Sequence, residues 1–282
     1  NYQSIGSGGG IRQVSMGLVD FGASDGPMTD AQLAASKVKL VHLPVVLGAV
    51  VPMFNVQGVG NLRFSGPVLA GIYLGQITNW NDPRIAQDNP GVRLPNQKIV
   101  VVYRSDGSGT SYIFTDYLSK VSKAWAEGPG KGTSPGWPVG VGGKGSEGVA
   151  GLVRQLPGAI GYVELIYALQ NHIAYGAVQN ADGKWITASI ASVTDAAASI
   201  KEMPADYRVS ITNAPGPKAY PISSFSWILV PQHAIHPANA KIMVDLLSWI
   251  LKSGQSQAAA LSYAPLPGNL VKKELKTVYA LQ

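Results

Sequence analysis

The sequence predicts an α/β fold with largely parallel strands. Short β-branched or apolar runs alternate with segments whose apolar residues recur at helical spacing, the order that lays helices over a parallel sheet. Polar, glycine-rich turns fall repeatedly where a strand hands over to a helix. Ligands in such folds sit beyond the C-terminal ends of the strands. The composition agrees, with 46% apolar and 13% charged residues, the latter about half the usual share. At 282 residues the chain suits one large domain or two of ordinary size.

The elements follow in order. "GSGGGIRQVSMG" predicts a glycine turn headed by Ser7 and a short helix over residues 10–16, with Ile11 and Val14 on one face. "LVDFGASD" reads as a strand that leaves Asp25 at its C-terminal end, and Thr29 or Asp30 caps a helix over 31–37. Two strands are expected at 41–44 and 49–54, then a helix around 68–74. Residues 99–103 are a β-branched run, and Ile113, Phe114, Tyr117, Leu118 and Val121 carry helical spacing. Between them lies "RSDGSGTS", where Ser108, Thr110 and Ser111 can each cap the helix, and Gly107 and Gly109 allow a tight turn. A glycine-rich loop, a helix over 146–155, a strand over 159–163 and another helix come next. "YPISSFSWILVP" alternates like a strand, and "PANAKIMVDLLSWILKSGQSQAAAL" predicts one long amphipathic helix. There is no internal repeat or low-complexity tract.

The bulk numbers exclude several function classes. Cysteine is absent, which removes disulfides, thiolate chemistry and cysteine-ligated metals, and is compatible with export. The most apolar region, 41–56, is broken by Pro44 and Pro52 and falls short of the roughly 18 residues a membrane span needs. The opening "NYQSIGSGGG" lacks the basic and apolar segments of a signal peptide. The net charge of +6 comes from 22 basic and 16 acidic residues, and these are scattered. "VKKELK" is the nearest approach to a basic run, so nucleic acid is not an expected partner.

A small anion fits the charge better. Arg104 offers a planar fork that can bind a tetrahedral oxyanion through two hydrogen bonds, and Asp106 can hold the fork in place. Ser108, Gly109 and Thr110 supply hydroxyl and backbone donors at a helix start, where the dipole also attracts negative charge. A capped helix beside a surface ion pair is the competing reading. Ser7 is a second donor on a glycine turn, or part of a flexible linker. Asp25 is either a turn residue in "SDGPMTD" or a carboxylate facing the anion. Like charges repel, so the second reading requires an anion that still carries a proton. Phosphate near neutral pH keeps a P–OH, whereas sulfate does not.

Other chemistries lack their parts. His42, His172, His233 and His236 lie in apolar or proline-flanked contexts away from the serine turns, so a serine hydrolase has no base. "GKGSEG" lacks the order of a phosphate loop, "GVGGKG" is a weak dinucleotide signature, and no metal-ligand spacing stands out.

With these residues in hand, the chain resembles the phosphate-specific solute-binding proteins of bacterial ABC importers, the PstS family. The resemblance is carried by "NYQSIGSGGGIRQV", "VDFGASDGPMTDAQL", "GIYLGQITNWNDPRIAQDNPGVRLP", "YRSDGSGTSYIFTDYL", "WPVGVGGKGSEGVAGLVRQLPGAIGYVE" and "YPISSFSWILV", in family order over nearly the whole length. It implies a two-lobed type II periplasmic binding protein fold, with the ligand cleft between the lobes. Lobe I would comprise residues 1–50 and 221–282, and lobe II residues 51–220. Ser7 and Asp25 would bind phosphate from the first lobe, with Asp25 accepting a phosphate proton. Arg104, Ser108, Gly109 and Thr110 would bind it from the second, with Asp106 bracing Arg104. The resemblance implies no cofactor, no metal and no catalysis. Its partners would be phosphate and a membrane permease, and the protein would be a monomer in the periplasm or outside the cell. A signal or lipoprotein peptide would lie upstream. Family members open with a strand and a "GAGATFP"-type turn that also binds phosphate. This chain begins after it, at Asn1, so a central strand and two or three contacts are expected to be missing from it. Either the chain is truncated or the segment comes from elsewhere, with an expected loss of several kcal/mol of affinity and of sheet stability. The alternative is a secreted PstS-like phosphate-binding protein with a phosphatase or extracellular matrix role.

Overall fold

The computed structural model describes residues 1–281. The chain opens with α1 (Gly6–Ser15), β1 (Gly22–Ser24), α2 (Asp30–Ala35) and the long β2 (Leu40–Phe54). The middle of the chain then supplies β3 (Arg63–Phe64), α3 (Gly66–Tyr73), α4 (Pro83–Asp88), β4 (Val100–Arg104), α5 (Gly109–Val121) and α6 (Lys123–Glu127). It continues through β5 (Val141–Gly143), α7 (Gly145–Gln155), β6 (Ala159–Glu164), α8 (Leu165–Gln170), β7 (Ala177–Gln179), β8 (Trp185–Ile186) and α9 (Ile190–Ala197). The last elements are β9 (Ser223–Pro231), α10 (Ala240–Leu251) and α11 (Gly268–Tyr279). No helix among the described residues is long and apolar enough to cross a membrane.

The strands form a six-stranded sheet in the order β1-β9-β2-β6-β4-β5 and a small sheet β3-β7-β8. The pairing is mixed rather than largely parallel. β4 pairs in parallel with both β5 and β6, as strands joined through helices must. β9 arrives from the far end of the chain and inserts antiparallel between β1 and β2. β2 is also antiparallel to β6. These long-range insertions leave no local mark in the sequence.

The two strands expected at 41–44 and 49–54 are one continuous element. Its register shifts between Pro44 and Val46, a bulge that accommodates a residue with no N–H to give. From Leu40 to Ala49 it pairs with β9, and from Val50 to Phe54 with β6, so a single strand changes partner at Ala49/Val50.

Two further boundaries differ clearly from expectation. α1 starts at Gly6, not at residue 10, so Ser7 lies inside its first turn. The glycines serve close packing here: a Cβ on Gly10 would stand 2.6 Å from the Ala23 carbonyl oxygen, and Gly8 N–H donates to the Gly107 carbonyl at 2.9 Å. α10 stops at Leu251, and residues 253–257 and 259–261 form 3-10 turns. Gln255 holds that break, since its amide donates to the Val45 and Ile250 carbonyls and accepts from Leu266 N–H. β9 is buried on both faces except at Ser226, because it lies inside the sheet. Ser224 and Ser226, two apart and so on one face, both donate to Asp25 just after β1.

Behind β4 and β6 an aromatic cluster of Tyr73, Phe114, Trp137 and Tyr162 is packed with ring centroids 4.5–5.9 Å apart. The Tyr162 hydroxyl accepts the Arg104 N–H at 3.0 Å and lies 2.7 Å from Ser111 Oγ. The core thus fixes the end of β4 and the start of α5 to one group.

Candidate anion-binding site

Arg104 is the last residue of β4 and is buried. Its Nε and Nη2 donate to Asp106 Oδ1 and Oδ2 at 2.8 and 2.7 Å, a two-pronged pair. Nη1 donates to Ser146 Oγ at 3.1 Å, and Thr110 Oγ1 lies 3.5 Å away. Asp106 also accepts Gly145 N–H at 3.0 Å, and these bonds hold its carboxyl down to about 2. The guanidinium is therefore oriented from three sides, and the competing reading of an exposed ion pair does not describe it.

The turn after Arg104 resolves as well. Of the three possible caps, Ser108 takes the role, its Oγ accepting Ser111 N–H at 3.2 Å. A hydroxyl that accepts still has a proton to donate. Gly109 and Thr110 open α5, where N–H groups have no intrahelical partner. A Cβ on Gly109 would come 2.8 Å from Asp25 N, so only glycine lets the two segments approach this closely.

The opposite wall comes from the first residues of the chain. Ser7, in α1, accepts the Asp25 N–H on Oγ at 3.2 Å. Asp25 follows β1, but it does not close the turn: Ser24 does, its Oγ donating to Gly26 O and accepting Gly26 N–H. The Asp25 carboxylate is left to face the cavity, with Ser226 Oγ donating to Oδ1 at 2.6 Å and Ser224 Oγ donating to the backbone carbonyl at 3.1 Å. Burial raises its proton affinity, against the Ser226 bond and the Arg104 charge, which lower it.

Ser7, Asp25, Arg104, Asp106, Ser108, Gly109 and Thr110 all border one cavity of about 1010 Å³. Residues separated by about a hundred positions meet there. Three more lining residues went unnoticed in the sequence, Ser146, Glu164 and Tyr263, as did Ser226, which holds Asp25. Glu164 ends β6 and accepts the Thr110 hydroxyl on Oε1 at 3.3 Å and the Tyr263 hydroxyl on Oε2. Burial, then the Asp25 charge, pushes its carboxyl up to about 7. A signal existed, because Glu164 is the lone charged residue in "GAIGYVELIYALQ" and ends a strand as Arg104 does. Two of the histidines have partners of their own. His42 Nε2 accepts Met28 N–H at 3.1 Å, with burial lowering its pKa to about 4. His236 Nδ1 lies 2.9 Å from Asp20.

A hard donor set around one arginine, with a protonatable carboxylate opposite, can hold an oxyanion that retains a proton. Comparison with known proteins fits this chemistry. A model of the PBP superfamily domain matches residues 1–253. The phosphate-binding protein PstS of Xylella fastidiosa is 49% identical over 276 residues, covering 97% of this chain and 75% of the relative. This chain belongs to the PstS family. PstS of Haemophilus influenzae is 44% identical over 283 residues, covering 98% of this chain and 84% of its own. Solved structures share the fold of this PstS-family chain. A human phosphate binding apolipoprotein superposes with a TM-score of 0.75 at 22% identity, covering 95% of this chain and 85% of that one. The phosphate binding protein of Stenotrophomonas maltophilia does so at 0.74 and 18%, covering 98% and 86%. The architecture is the type II periplasmic binding protein fold.

Proposed function

We propose that this chain binds inorganic phosphate in the cavity between α1 and α5 and delivers it to the permease of an ABC importer, in the periplasm or outside the cell. The observation that carries the reading is the juxtaposition of the Arg104 fork with the Asp25 carboxylate across one cavity. Arg104, the Ser7 and Ser108 hydroxyls and the N–H groups of Gly109 and Thr110 would donate to phosphate oxygens. Asp25 would accept the P–OH proton, and Asp106 would keep Arg104 aligned. Relatives at 44% and 49% identity are named phosphate-binding proteins, which supports the phosphate part of the reading.

The two walls are assigned to two lobes, residues 1–50 with 221–282 and residues 51–220. The partner change of β2 at Ala49/Val50 supports this division. A ligand that touches both walls favours the closed arrangement by its differential affinity for it. A phosphatase or matrix role gains no comparable support, since His42 and His236 are engaged by Met28 and Asp20.

Calorimetric titration of the chain with phosphate and with sulfate tests the reading. Sulfate leaves Asp25 facing an oxygen without a proton, a penalty of a few kcal/mol, so phosphate should bind at least about a hundredfold more tightly. Asp25→Asn should weaken phosphate binding and shrink that ratio. Equal affinity for the two anions in the unaltered protein would overturn the assignment of Asp25.

A further inference from the structure

The second carboxylate of the cavity poses a problem. Thr110 has one hydroxyl proton, and the structure directs it to Glu164 Oε1. A hydroxyl so engaged shows the cavity only lone pairs, the wrong polarity for an anion. If instead Glu164 carries a proton, its carboxyl donates to Thr110 Oγ1. The two lone pairs of Oγ1 then face Glu164 and Arg104 Nη1, and the Thr110 proton is released toward the cavity.

We propose that Glu164 is a positioning residue of the phosphate site, which decides through its own proton whether Thr110 donates to the ligand. The proposal rests on the phosphate reading above. Three features of the geometry support it. Glu164 pairs with Val50 in the ladder, at the point where β2 passes from β9 to β6, so its backbone is held on a rigid element. The Tyr263 hydroxyl occupies Oε2, leaving Oε1 to face Thr110. The remaining groups around it are Asp25 after β1, Arg104 on β4, Tyr167 on α8 and Tyr2 near the start of the chain. Arg104 is the buried cation among them, Lys144 lining the same cavity from an exposed position, and Asp106 already takes two of the Arg104 donors. The surroundings therefore favour a proton on Glu164, and burial with the Asp25 charge lifts its titration from the usual carboxylate range to about 7, which places the change of Thr110 near neutrality.

The experiment compares phosphate affinity of the unaltered chain and of Glu164→Gln. A glutamine amide can donate to Thr110 at every pH and accept from Tyr263. Affinities are measured at about pH 6 and about pH 8.5, on either side of the Glu164 titration, and expressed as a ratio so that the ionisation of phosphate itself cancels. The expected ratio is near one at the lower pH, with Glu164→Gln about tenfold tighter at the higher pH. In a Thr110→Val background the advantage should vanish at both. Tyr263→Phe removes a bond that favours ionised Glu164, so in that variant the affinity change should move to higher pH. A ratio independent of pH, or an advantage that survives in Thr110→Val, overturns the proposal, the latter because simple relief of charge repulsion would then suffice. If the unaltered chain bound no phosphate at either pH, the phosphate reading would fall and this role with it.

Discussion

Arg104→Ala should lower phosphate affinity by at least about a hundredfold while leaving the chain folded. The guanidinium is the cavity's buried positive charge opposite Asp25, and removing one partner of a buried hydrogen-bonded charge pair costs about 2–5 kcal/mol. The loss also strips Asp106 of its two-pronged partner, so part of the cost is a carboxylate left beside the anion. Arg104→Lys separates charge from geometry. It keeps the cation but cannot engage Asp106 and Ser146 together, so it should recover only a fraction of the binding. Calorimetry at neutral pH, with circular dichroism to confirm folding, decides the matter. Binding by Arg104→Ala within about threefold of the unaltered protein would place the anion elsewhere.

The second large effect concerns stability. Glu274 shares the buried stripe of α11 with Leu270 and Val278, and it is fully buried with neither carboxylate oxygen hydrogen-bonded. Burial pushes its carboxyl from 4.5 up to about 9. Between these values the folded protein holds a proton that the unfolded chain releases, so stability falls as pH rises from about 4.5 to about 9. At about 1.4 kcal/mol per pH unit, the cost at pH 7 is about 3 kcal/mol. Glu274→Leu replaces the carboxyl with an apolar group of similar size. It should raise Tm by several degrees at pH 8 and by much less at pH 5. An equal change at both pH values, or a fall in Tm at pH 8, would show that the carboxyl has a partner when folded.

The sequence by itself determined the local chemistry of the site. The β-branched run before Arg104, the polar turn and the helical spacing after it placed an arginine at a strand end and donors at a helix start. Asp25 was legible for the same reason, as a carboxylate at the end of a strand. Burial, spacing and capping act within a few residues, so they leave a readable pattern. Tertiary structure decided what those patterns face. It joined two expected strands into β2, drew β9 between β1 and β2, and made Ser108 the cap among three candidates. It also brought Glu164 and Tyr263 to the cavity, and Ser226 to Asp25, from strands and turns that look ordinary in sequence. Glu274 shows the same limit, since "VKKELK" reads as a charged run until packing turns its lysines outward and its glutamate in. Such contacts depend on which distant segments share a neighbourhood. Long-range pairing sets that, and it has no local period.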